Sequence, residues 1–236
     1  MSGGSGSDDV AVVIPARNEV DRIQATVTAA TEIPGVALVI VVDDGSKDGT
    51  AAAARQAGAV VTRHARNRGK GAAMETGADA AALLDQREQR DRPRHLLFLD
   101  ADLAGTAALA GPLTDPVLAG TADMTIAVFA ATVKLGGHGL VVGLSGAGIR
   151  RATGWQPIQP LNGQRCLTRL AFEAARPLAR GWGVETGLTI DLLRKGMRIT
   201  EVQVDLAHRA TGTGLRAQLH RAHQLADVAR ALAARP

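Results

Sequence analysis

The amino-acid sequence predicts one α/β domain with a mostly parallel central sheet and helices on both faces. Along the first half of the 236-residue chain, short apolar runs of strand length alternate with longer alanine-rich runs of helix length. This alternation is typical of βαβ units. With 46% hydrophobic and 21% charged residues, the composition is that of an ordinary globular protein with enough apolar side chains for one large core.

The predicted elements follow one another in a regular order. The first half contains strands at 10–14, 38–42, 60–62 and 96–99, followed in turn by helices at 19–31, 48–57, 70–85 and 105–119. The second half contains helices near 168–176, 186–195 and 214–233 and a strand near 198–204. Residues 1–9 are polar and glycine-rich, so we expect a flexible leader before a single domain at 10–233. Right-handed crossovers would bring the carboxyl ends of the strands to one edge of the sheet.

An apolar, glycine-containing segment at 126–149 lies between the two halves. Lys134 and His138 interrupt it, which makes it a poor transmembrane span. The pattern indicates a core strand followed by a glycine-rich loop. Because Arg150 and Arg151 follow directly, a shallow contact of residues 126–151 with anionic lipid headgroups stays open as an alternative.

The composition restricts the compartment and the partners. Cys166 is the only cysteine, so one chain cannot build a disulfide framework or a site of several thiolates, and a reducing, cytoplasmic compartment is the simplest expectation. A net charge of +4 could suggest nucleic acid, but three Phe, two Trp and no Tyr leave few side chains to stack on bases. We therefore expect no nucleic-acid partner. An anionic small molecule or an anionic lipid headgroup fits the charge better.

The most informative residues are Asp100 and Asp102, which directly follow the apolar run at 95–99. Two acids separated by one residue at the carboxyl end of a buried strand can share a divalent cation, and their oxygens suit Mg²⁺ or Mn²⁺. A metal there would neutralise charge on a departing diphosphate. The alternative is that one aspartate caps the next helix while the other is solvated.

Polar loops after the other strands are expected at the same edge. Asp44 follows the second strand and could accept hydrogen bonds from a nucleobase or a ribose, whereas Asp48 is the better helix cap. Lys70 lies between two glycines at a helix start, where backbone N–H groups favour a phosphate. Together with Asp100 and Asp102, these loops predict a nucleotide-sugar site.

The second half offers two further candidates. His208 follows the predicted strand at 198–204 and could complete a metal site as a neutral imidazole, although a lone histidine is more often a surface or packing residue. Glu185 could act as a base toward an acceptor, or it could be a first-turn acid that complements a helix dipole. The run at 143–147 lacks the second glycine of a nucleophile elbow, which excludes a serine hydrolase.

Four motifs carry a family resemblance. The chain contains IPARNE at 14–19, DDGSKDGT at 43–50, NRGKG at 67–71 and LDAD at 99–102. In this order and spacing they resemble the family 2 glycosyltransferases of the Rossmann-like GT-A fold. The second half resembles the branch that contains polyprenyl-phosphate sugar synthases and glucosyl-3-phosphoglycerate synthases. The resemblance implies that residues 10–125 bind a nucleotide-sugar and residues 126–233 bind the acceptor.

The resemblance also implies roles for individual residues. Contacts with the nucleotide-sugar are expected from Pro15, Ala16, Arg17, Glu19, Asp44, Lys70, Asp100 and Ala101. Ligands to Mg²⁺ or Mn²⁺ are expected from Asp100, Asp102 and His208, and catalytic roles from Asp102 and Glu185. Acceptor contacts are expected from Gly163, Gln164, Arg165 and Arg209, with Arg150 and Arg151 as further cations near the acceptor or the diphosphate.

The activity that the resemblance implies is metal-dependent transfer of a hexosyl group. We expect glucose to move from UDP-glucose, with a GDP-sugar as the other donor, to a small or lipid-linked anionic acceptor such as phosphoglycerate or polyprenyl phosphate. Peripheral contact with the inner face of the membrane and a homodimer stay open. The rival class is a sugar-1-phosphate nucleotidyltransferase, which usually begins with a glycine-rich loop where this chain has 15–19. A non-enzymatic nucleotide-sugar-binding module is the third alternative.

Overall fold

The computed structural model describes residues 9–129, 139–206 and 215–235. Within these residues one seven-stranded sheet is formed by β1 (Val10–Ala16), β2 (Val36–Asp43), β3 (Val60–Arg63), β4 (His95–Phe98), β5 (Met124–Phe129), β6 (Arg165–Leu167) and β7 (Ile199–Val204). The strands lie in the order β3-β2-β1-β4-β6-β5-β7. The predicted α/β class with a mostly parallel sheet is confirmed.

Strand β1 lies between β2 and β4 and pairs in parallel with both. Val12 pairs with Val39 on one side and Leu97 on the other, and all three are buried. A near-continuous apolar run is what a parallel strand covered on both faces requires. Because β1, β2 and β4 run in the same direction, the loops that follow them meet at one edge of the sheet.

Strand β6 runs antiparallel to both of its neighbours, β4 and β5. Cys166 lies opposite Leu97 on one side and Thr125 on the other. The sequence did not predict this strand, because three residues are too few to show a period. Its reversed direction has a consequence for the site: the amino end of β6, with Gly163 and Gln164 just before it, lies at the edge where β1, β2 and β4 end.

The helices are α1 (Val20–Thr31), α2 (Thr50–Gln56), α3 (Lys70–Arg87), α4 (Asp115–Leu118), α5 (Gly139–Thr153), α6 (Arg169–Ala175), α7 (Val184–Arg194) and α8 (Leu215–Ala233). Two 3₁₀ helices cover Ala104–Leu113 and Gly181–Gly183. The single helix predicted at 105–119 is therefore wrong: the chain forms a 3₁₀ helix and then the short α4. Pro112 and Pro116 explain the difference, because proline lacks the N–H that a continuous α-helix needs.

The glycine-rich loop predicted after the strand at 124–129 is also wrong in part. From Gly139 onward the segment is helix α5, and residues 130–138 lie outside the described part of the chain. Gly148 explains why glycines are used in this helix: a Cβ there would overlap the side chain of Leu232 in α8. The glycine thus allows two helices to approach closely, whereas the sequence pattern alone indicates a loop.

The core has two parts, one on each face of the sheet. On one face, α1 and the first 3₁₀ helix contribute Ile23, Val27 and Leu113 to a cluster with the strands. On the other face, α3, α6 and α7 contribute residues such as Met74 and Phe172. In the described part of the chain, no helix is both long enough and apolar enough to cross a membrane.

Candidate active site

The centre of the candidate site is an ion cluster formed by Lys70, Asp100 and Glu185. Lys70 is the first residue of α3, Asp100 is the second residue after β4, and Glu185 lies in the first turn of α7. The Nζ atom of Lys70 lies 2.8 Å from Oδ1 of Asp100 and 2.9 Å from Oε1 of Glu185. Three segments that are distant in sequence thus place one cation between two carboxylates, as the converging loops predicted for Lys70 and Asp100.

The ionisation of Lys70 is set by this cluster. Burial by itself lowers the pKa of the ammonium group, but the negative charges of Asp100 and Glu185 and the hydrogen bonds to them outweigh it, so the pKa is raised above its usual range. Lys70 therefore stays charged at every physiological pH. The side chain of Glu185 is 5% exposed and that of Asp100 is 31% exposed, so Asp100 is the member of the cluster that solvent or a ligand reaches most easily.

Gly163 lies directly against this cluster. A Cβ atom at this position would overlap Nζ of Lys70 and would come within 3.1 Å of Oδ1 of Asp100. The residue was predicted to contact the acceptor, and the structure places its backbone at the edge of the ion cluster. A glycine is needed here because the ammonium group occupies the volume of a side chain.

The turn that carries Asp100 and Asp102 is held by α1. The hydroxyl of Thr26 donates to the carbonyl of Ala101 at 2.8 Å and accepts from the N–H of Ala104 at 2.8 Å. The guanidinium of Arg22 donates to the carbonyl of Asp102 at 3.2 Å. Thr26 is fully buried, and sequence reasoning missed its role because a threonine within a helix gives no separate signal.

The loops after β1 and β2 are joined to each other. Asn18, which has a φ of 56°, donates its backbone N–H to Oγ of Ser46 at 2.9 Å and accepts from the N–H of Lys47 at 2.8 Å. The N–H of Glu19 donates to the hydroxyl of Thr50 at 2.9 Å. These bonds fix the first loop, in which Pro15 and Glu19 are half-buried, Ala16 is buried and Arg17 is exposed.

The carboxylate of Asp44 takes part in all but one of a second set of hydrogen bonds. Its Oδ1 accepts from the N–H of Arg68 at 2.7 Å and its Oδ2 from the N–H of Gly69 at 2.8 Å. Nδ1 of His64 lies 2.7 Å from Oδ1, and Nε2 of His64 lies 3.0 Å from the hydroxyl of Thr76. The carboxylate was predicted to contact the nucleotide, which remains a prediction. In this structure it binds the backbone of the loop before Lys70 and so holds that loop against the end of β2.

His64 is a residue that sequence reasoning missed. It directly follows β3 and is 6% exposed. Its position after a short strand was a signal of the same kind as those that indicated Asp44 and Asp100.

Asp43, which precedes Asp44, is also buried and forms an ion pair with Arg63. Its Oδ2 lies 3.1 Å from Nε of Arg63, but the geometry of this contact is not that of a hydrogen bond.

Arg165, for which an acceptor contact remains a prediction, has a buried guanidinium in this structure. The residue is 1% exposed, and its guanidinium donates to the carbonyls of Asn162 at 2.8 Å, Pro160 at 2.9 Å and Glu185 at 3.1 Å. It also donates to the hydroxyl of Thr189 at 2.8 Å. Burial lowers the pKa of Arg165 to about 10, against the opposing charges of Glu185 and Glu201, so the group is still protonated at neutral pH. In this position it ties the loop before β6 to the start of α7.

Gln164 has a buried side chain whose two amide atoms, Oε1 and Nε2, have no hydrogen-bond partner in the described residues. It directly precedes Arg165, the first residue of β6. The backbone carbonyl of Gln164 accepts from the N–H of Ala127 at 3.0 Å. An acceptor contact by its side chain remains a prediction.

The other cations predicted for the acceptor do not meet at this edge. Arg150 and Arg151 are exposed in the last turn of α5. The nearby carbonyl of Ala152 accepts from Arg194 at the far end of α7, about 14 Å along that helix from Glu185. In this geometry α5 carries them away from the ion cluster, and an approach to the acceptor remains a prediction. His208 and Arg209 lie outside the described residues.

Two carboxylates of the site have the chemistry of cation ligands. Asp100 and Asp102 present carboxylate oxygens on one turn, and Asp100 already faces the positive charge of Lys70. Within residues 9–129, 139–206 and 215–235, no three His, Cys, Asp or Glu side chains come together as a complete metal site. The donor chemistry fits Mg²⁺ or Mn²⁺, both of which commonly keep water or phosphate oxygens as further ligands.

Comparison with protein families supports the motif analysis. The model of glycosyl transferase family 2 matches residues 11–139. An uncharacterized protein of Methanocaldococcus jannaschii is 35% identical over 119 residues, which cover 50% of this chain and 46% of that protein. The glycosyltransferase AglJ of Haloferax volcanii is 29% identical over 210 residues, which cover 87% of this chain and 65% of that protein. The chain thus spans about half to two thirds of the length of these curated relatives.

Solved structures show the same fold. Glucosyl-3-phosphoglycerate synthase from Mycobacterium tuberculosis, in complex with Mn²⁺, UDP-glucose and phosphoglyceric acid, matches with a TM-score of 0.75 and 26% identity over 95% of this chain and 79% of that chain. The same enzyme in complex with Mg²⁺ and UDP matches with a TM-score of 0.73 and 26% identity over 96% of this chain and 80% of that chain. These similarities support a GT-A-like α/β domain.

Proposed function

The chain belongs to glycosyl transferase family 2, and we propose that it moves a glucosyl group from UDP-glucose to an anionic acceptor with the help of a divalent cation. The acceptor class comprises small phosphorylated acids such as phosphoglycerate and lipid-linked phosphates such as polyprenyl phosphate. A structural relative, the mycobacterial glucosyl-3-phosphoglycerate synthase, has been crystallised with Mn²⁺, UDP-glucose and phosphoglyceric acid, which supports this choice of donor and acceptor.

The observation that carries the proposal is the Lys70–Asp100–Glu185 cluster at the carboxyl edge of the sheet. Lys70 joins the donor half of the chain, through Asp100, to the acceptor half, through Glu185, with contacts of 2.8 and 2.9 Å. A group transfer needs donor and acceptor groups within one crevice, because orientation of the reactants accounts for much of the rate enhancement. This cluster is where the two predicted halves of the site meet.

On the donor side, the clamped loops would form the nucleotide pocket. Asp44 fixes the backbone of Arg68 and Gly69, and Asn18 joins the loops after β1 and β2. We infer that Pro15, Arg17 and Glu19 face the nucleotide from the first loop, while Lys70 lies nearest to the phosphates. The start of α3 adds the positive end of a helix dipole beside that lysine.

Asp102 and Asp100 are the residues that would hold Mg²⁺ or Mn²⁺, with His208 as the further ligand that the family resemblance implies. The chemistry that such a cation supplies is neutralisation of the charge on the departing diphosphate. Thr26 and Arg22 hold the turn in place through the backbone of Ala101, Ala104 and Asp102, so the backbone that carries the two carboxylates is already ordered before binding.

On the acceptor side, Glu185 is the candidate base. A hydroxyl acceptor must lose a proton, whereas a phosphate oxygen is already ionised and needs little help. Arg165 would act through the backbone: it holds the carbonyl of Glu185 and the loop that contains Gly163. We propose a cytoplasmic enzyme, with peripheral contact to the inner face of the membrane where the acceptor is lipid-linked.

Family membership weighs against both alternatives. A sugar-1-phosphate nucleotidyltransferase would consume a nucleoside triphosphate and release pyrophosphate, and neither the family match nor the first loop at 15–19 favours that reaction. A binding module without turnover would not require a carboxylate at position 185 between the donor and acceptor segments.

The donor is tested by the thermal stability of the protein with UDP-, GDP-, ADP- and TDP-glucose, each with and without Mn²⁺. A ligand that binds the native state raises the melting temperature by mass action. We expect a Mn²⁺-dependent rise with UDP-glucose in the wild type and a much smaller one in Asp102→Asn, while both proteins melt at the same temperature without ligand. A rise with another nucleotide would reassign the donor, and no rise with any would contradict the proposal.

The acceptor is tested by substituting Glu185. Transfer of labelled glucose is measured to phosphoglycerate, through its hydroxyl, and to polyprenyl phosphate, through its phosphate. If Glu185 is the base, Glu185→Gln should lower transfer to the hydroxyl about 10²- to 10⁴-fold and transfer to the phosphate far less. Equal losses with both acceptors would contradict a role as base and indicate that Glu185 only positions Lys70.

A further inference from the structure

We propose that the outer surfaces of α5 and α8, together with Trp182, dock onto a bilayer surface that contains anionic lipids. We call this surface the α5–α8 face and define it by Leu140, Leu144, Arg150, Arg151, Trp182 and Leu225. The inference rests on the proposed function only in that a lipid-linked acceptor would lie in a membrane. Vesicle binding tests the inference separately from sugar transfer.

Helix α5 is amphipathic with its apolar outer side exposed. Leu140, Leu144, Ala147 and Arg151 follow at intervals of four, three and four residues, so they lie on one side of the helix. Leu140 is 84% exposed and Leu144 is 36% exposed. The opposite side is buried against α7, where the hydroxyl of Ser145 lies 2.7 Å from that of Thr186. The helix is thus fixed to the protein by one side and presents leucines to the solvent with the other.

Helix α8 extends the same surface. Arg194 of α7 donates to the carbonyls of Ala152 and Arg235, at 3.5 and 3.4 Å, so the carboxyl ends of α5 and α8 lie together. Because Gly148 also contacts Leu232, the two helices run side by side in the same direction. Leu225, two turns before Leu232, is 39% exposed.

Trp182 joins the α5–α8 face to the candidate active site. The residue is 39% exposed, and its backbone N–H donates to Oδ2 of Asp227 on α8 at 3.2 Å. Three residues later in the chain, Glu185 reaches Lys70 at 2.9 Å. Tryptophan combines a large apolar ring with one polar N–H, which suits the boundary between lipid headgroups and acyl chains. A membrane bound here would border the acceptor side of the crevice.

The charge of the α5–α8 face is strongly one-sided. Residues 139–153, 180–183 and 222–235 contain five arginines and a single acid, Asp227. Asp227 is paired with Arg230 at 2.5 Å, and Arg235 with Asp191 of α7 at 2.6 Å. Arg150, Arg151 and Arg180 therefore supply the net positive charge of these segments. Exposed leucines, a tryptophan and arginines without exposed carboxylates match a surface of anionic headgroups over an apolar interior.

The same charges disfavour a second copy of the chain as the occupant. A two-fold interface brings a surface against itself, so Arg150 and Arg151 would face the same arginines or their neighbours. With a single acid in the three segments, the interface would lack the opposite charges that compensate them. We therefore assign the α5–α8 face to an anionic lipid surface.

The experiment is cosedimentation of the full chain with vesicles of phosphatidylcholine, alone or with part of it replaced by phosphatidylglycerol. We expect binding to the anionic vesicles that weakens with added salt. Arg150→Gln with Arg151→Gln should lower the partition coefficient roughly 30-fold, since each arginine near such a surface contributes about 1 kcal/mol to the binding free energy. Leu140→Ser with Leu144→Ser should also abolish most of the binding by removing the apolar contact.

The matched control is Leu83→Ser with Arg87→Gln, an exposed leucine and arginine on α3, outside the α5–α8 face. This variant should bind vesicles as the wild type does. Retained melting temperature and retained UDP-glucose binding show that each variant is folded and that its donor site is intact. The proposal is overturned if the wild type ignores anionic vesicles or if the control loses binding as the α5–α8 variants do. A solution dimer that Leu140→Ser with Leu144→Ser converts to monomer would also overturn it.

Discussion

The backbone of Gly163 and the ammonium group of Lys70 occupy adjoining space, so that a single methyl group at position 163 would overlap Nζ. This relationship couples the loop before β6 to the ion cluster. Lys70 can remain between Asp100 and Glu185 only while position 163 has no side chain. The loop before β6 therefore restricts the position of an ammonium group that contacts both Asp100 and Glu185.

Gly163→Ala is expected to impair function while sparing the fold. The overlapping atom is the end of a flexible side chain, so Lys70 can move aside, and we expect the unfolding free energy to fall by less than about 1 kcal/mol. Displacement of the ammonium group by about 1 Å should lower kcat/KM roughly 10²-fold. Urea unfolding and transfer of labelled glucose measure the two effects.

Gly139→Ala is the control for that substitution, because a Cβ at position 139 meets no atom within 4 Å. It should leave both stability and transfer close to those of the wild type. If Gly163→Ala retained full activity, Lys70 would not need its position between the two carboxylates.

His64→Leu should loosen the donor side of the site. The substitution removes the ring nitrogen that lies 2.7 Å from the buried carboxylate of Asp44, leaving only the two backbone donors from Arg68 and Gly69. We expect a loss of about 1–3 kcal/mol in unfolding free energy and weaker binding of UDP-glucose in calorimetry. Thr76→Val removes only the outer contact to Nε2 and should have a smaller effect on both. Unchanged donor affinity in His64→Leu would show that Asp44 needs no such support.

Arg165→Met should destabilise the protein strongly. The buried guanidinium donates to three carbonyls and one hydroxyl, and methionine would leave these acceptors without their partner. We expect the unfolding free energy to fall by about 3 kcal/mol or more in denaturant titrations. Arg165→Lys keeps the charge but cannot reach all four acceptors, so its stability should lie between those of the wild type and Arg165→Met. A stable Arg165→Met protein with a raised acceptor KM would instead favour direct contact with the acceptor.

The pH dependence of stability should contain a contribution from His95. Burial lowers the pKa of this imidazole, the charge of Asp9 opposes the shift, and that of Arg169 adds to it. In the unfolded chain the group titrates near its usual value of 6.5. Below about pH 6.5 the unfolded state therefore binds more protons than the native state, and stability is lost as the pH falls.

The measurement that checks this contribution is the unfolding free energy of the wild type and of His95→Leu at about pH 7.5 and about pH 5.5. The decrease between the two pH values should be smaller in His95→Leu. The comparison cancels the contributions of the other histidines, which both proteins share. An equal decrease in both proteins would exclude His95 as the source.

Much of the fold could be predicted because the strands of a parallel sheet are continuous apolar runs. In β1, Val10, Val12 and Ile14 are buried on one face and Ala11 and Val13 on the other, and the sequence shows this directly as one unbroken apolar run. Helix α5 could not be predicted, because its sequence is rich in glycine, as loops are. One of these glycines, Gly148, is instead needed for the close approach of Leu232. Strand β6 was missed because its three residues depend on pairing with β4 and β5 rather than on a local pattern.

The candidate site divides in the same way. The motifs indicated Lys70 and Asp100, which the structure brings into contact, because loops after parallel strands must meet at one edge. They did not reveal that Glu185 would share the same ammonium group, since the contact joins α3 to α7 across more than a hundred residues of chain. Nor could they show that Arg165 lies beneath the loop: an arginine gives the same sequence signal whether it is buried or exposed.

The most direct test of the central claim is transfer of labelled glucose from UDP-glucose to phosphoglycerate and to polyprenyl phosphate, with Mn²⁺ or with excess EDTA. The wild type should glucosylate at least one of the two acceptors with Mn²⁺ and should lose this activity with EDTA. Asp102→Ala should remain folded, with an unchanged melting temperature, and should be inactive under both conditions. Equal transfer with Mn²⁺ and with EDTA, or full activity in Asp102→Ala, would contradict metal-dependent transfer at this site.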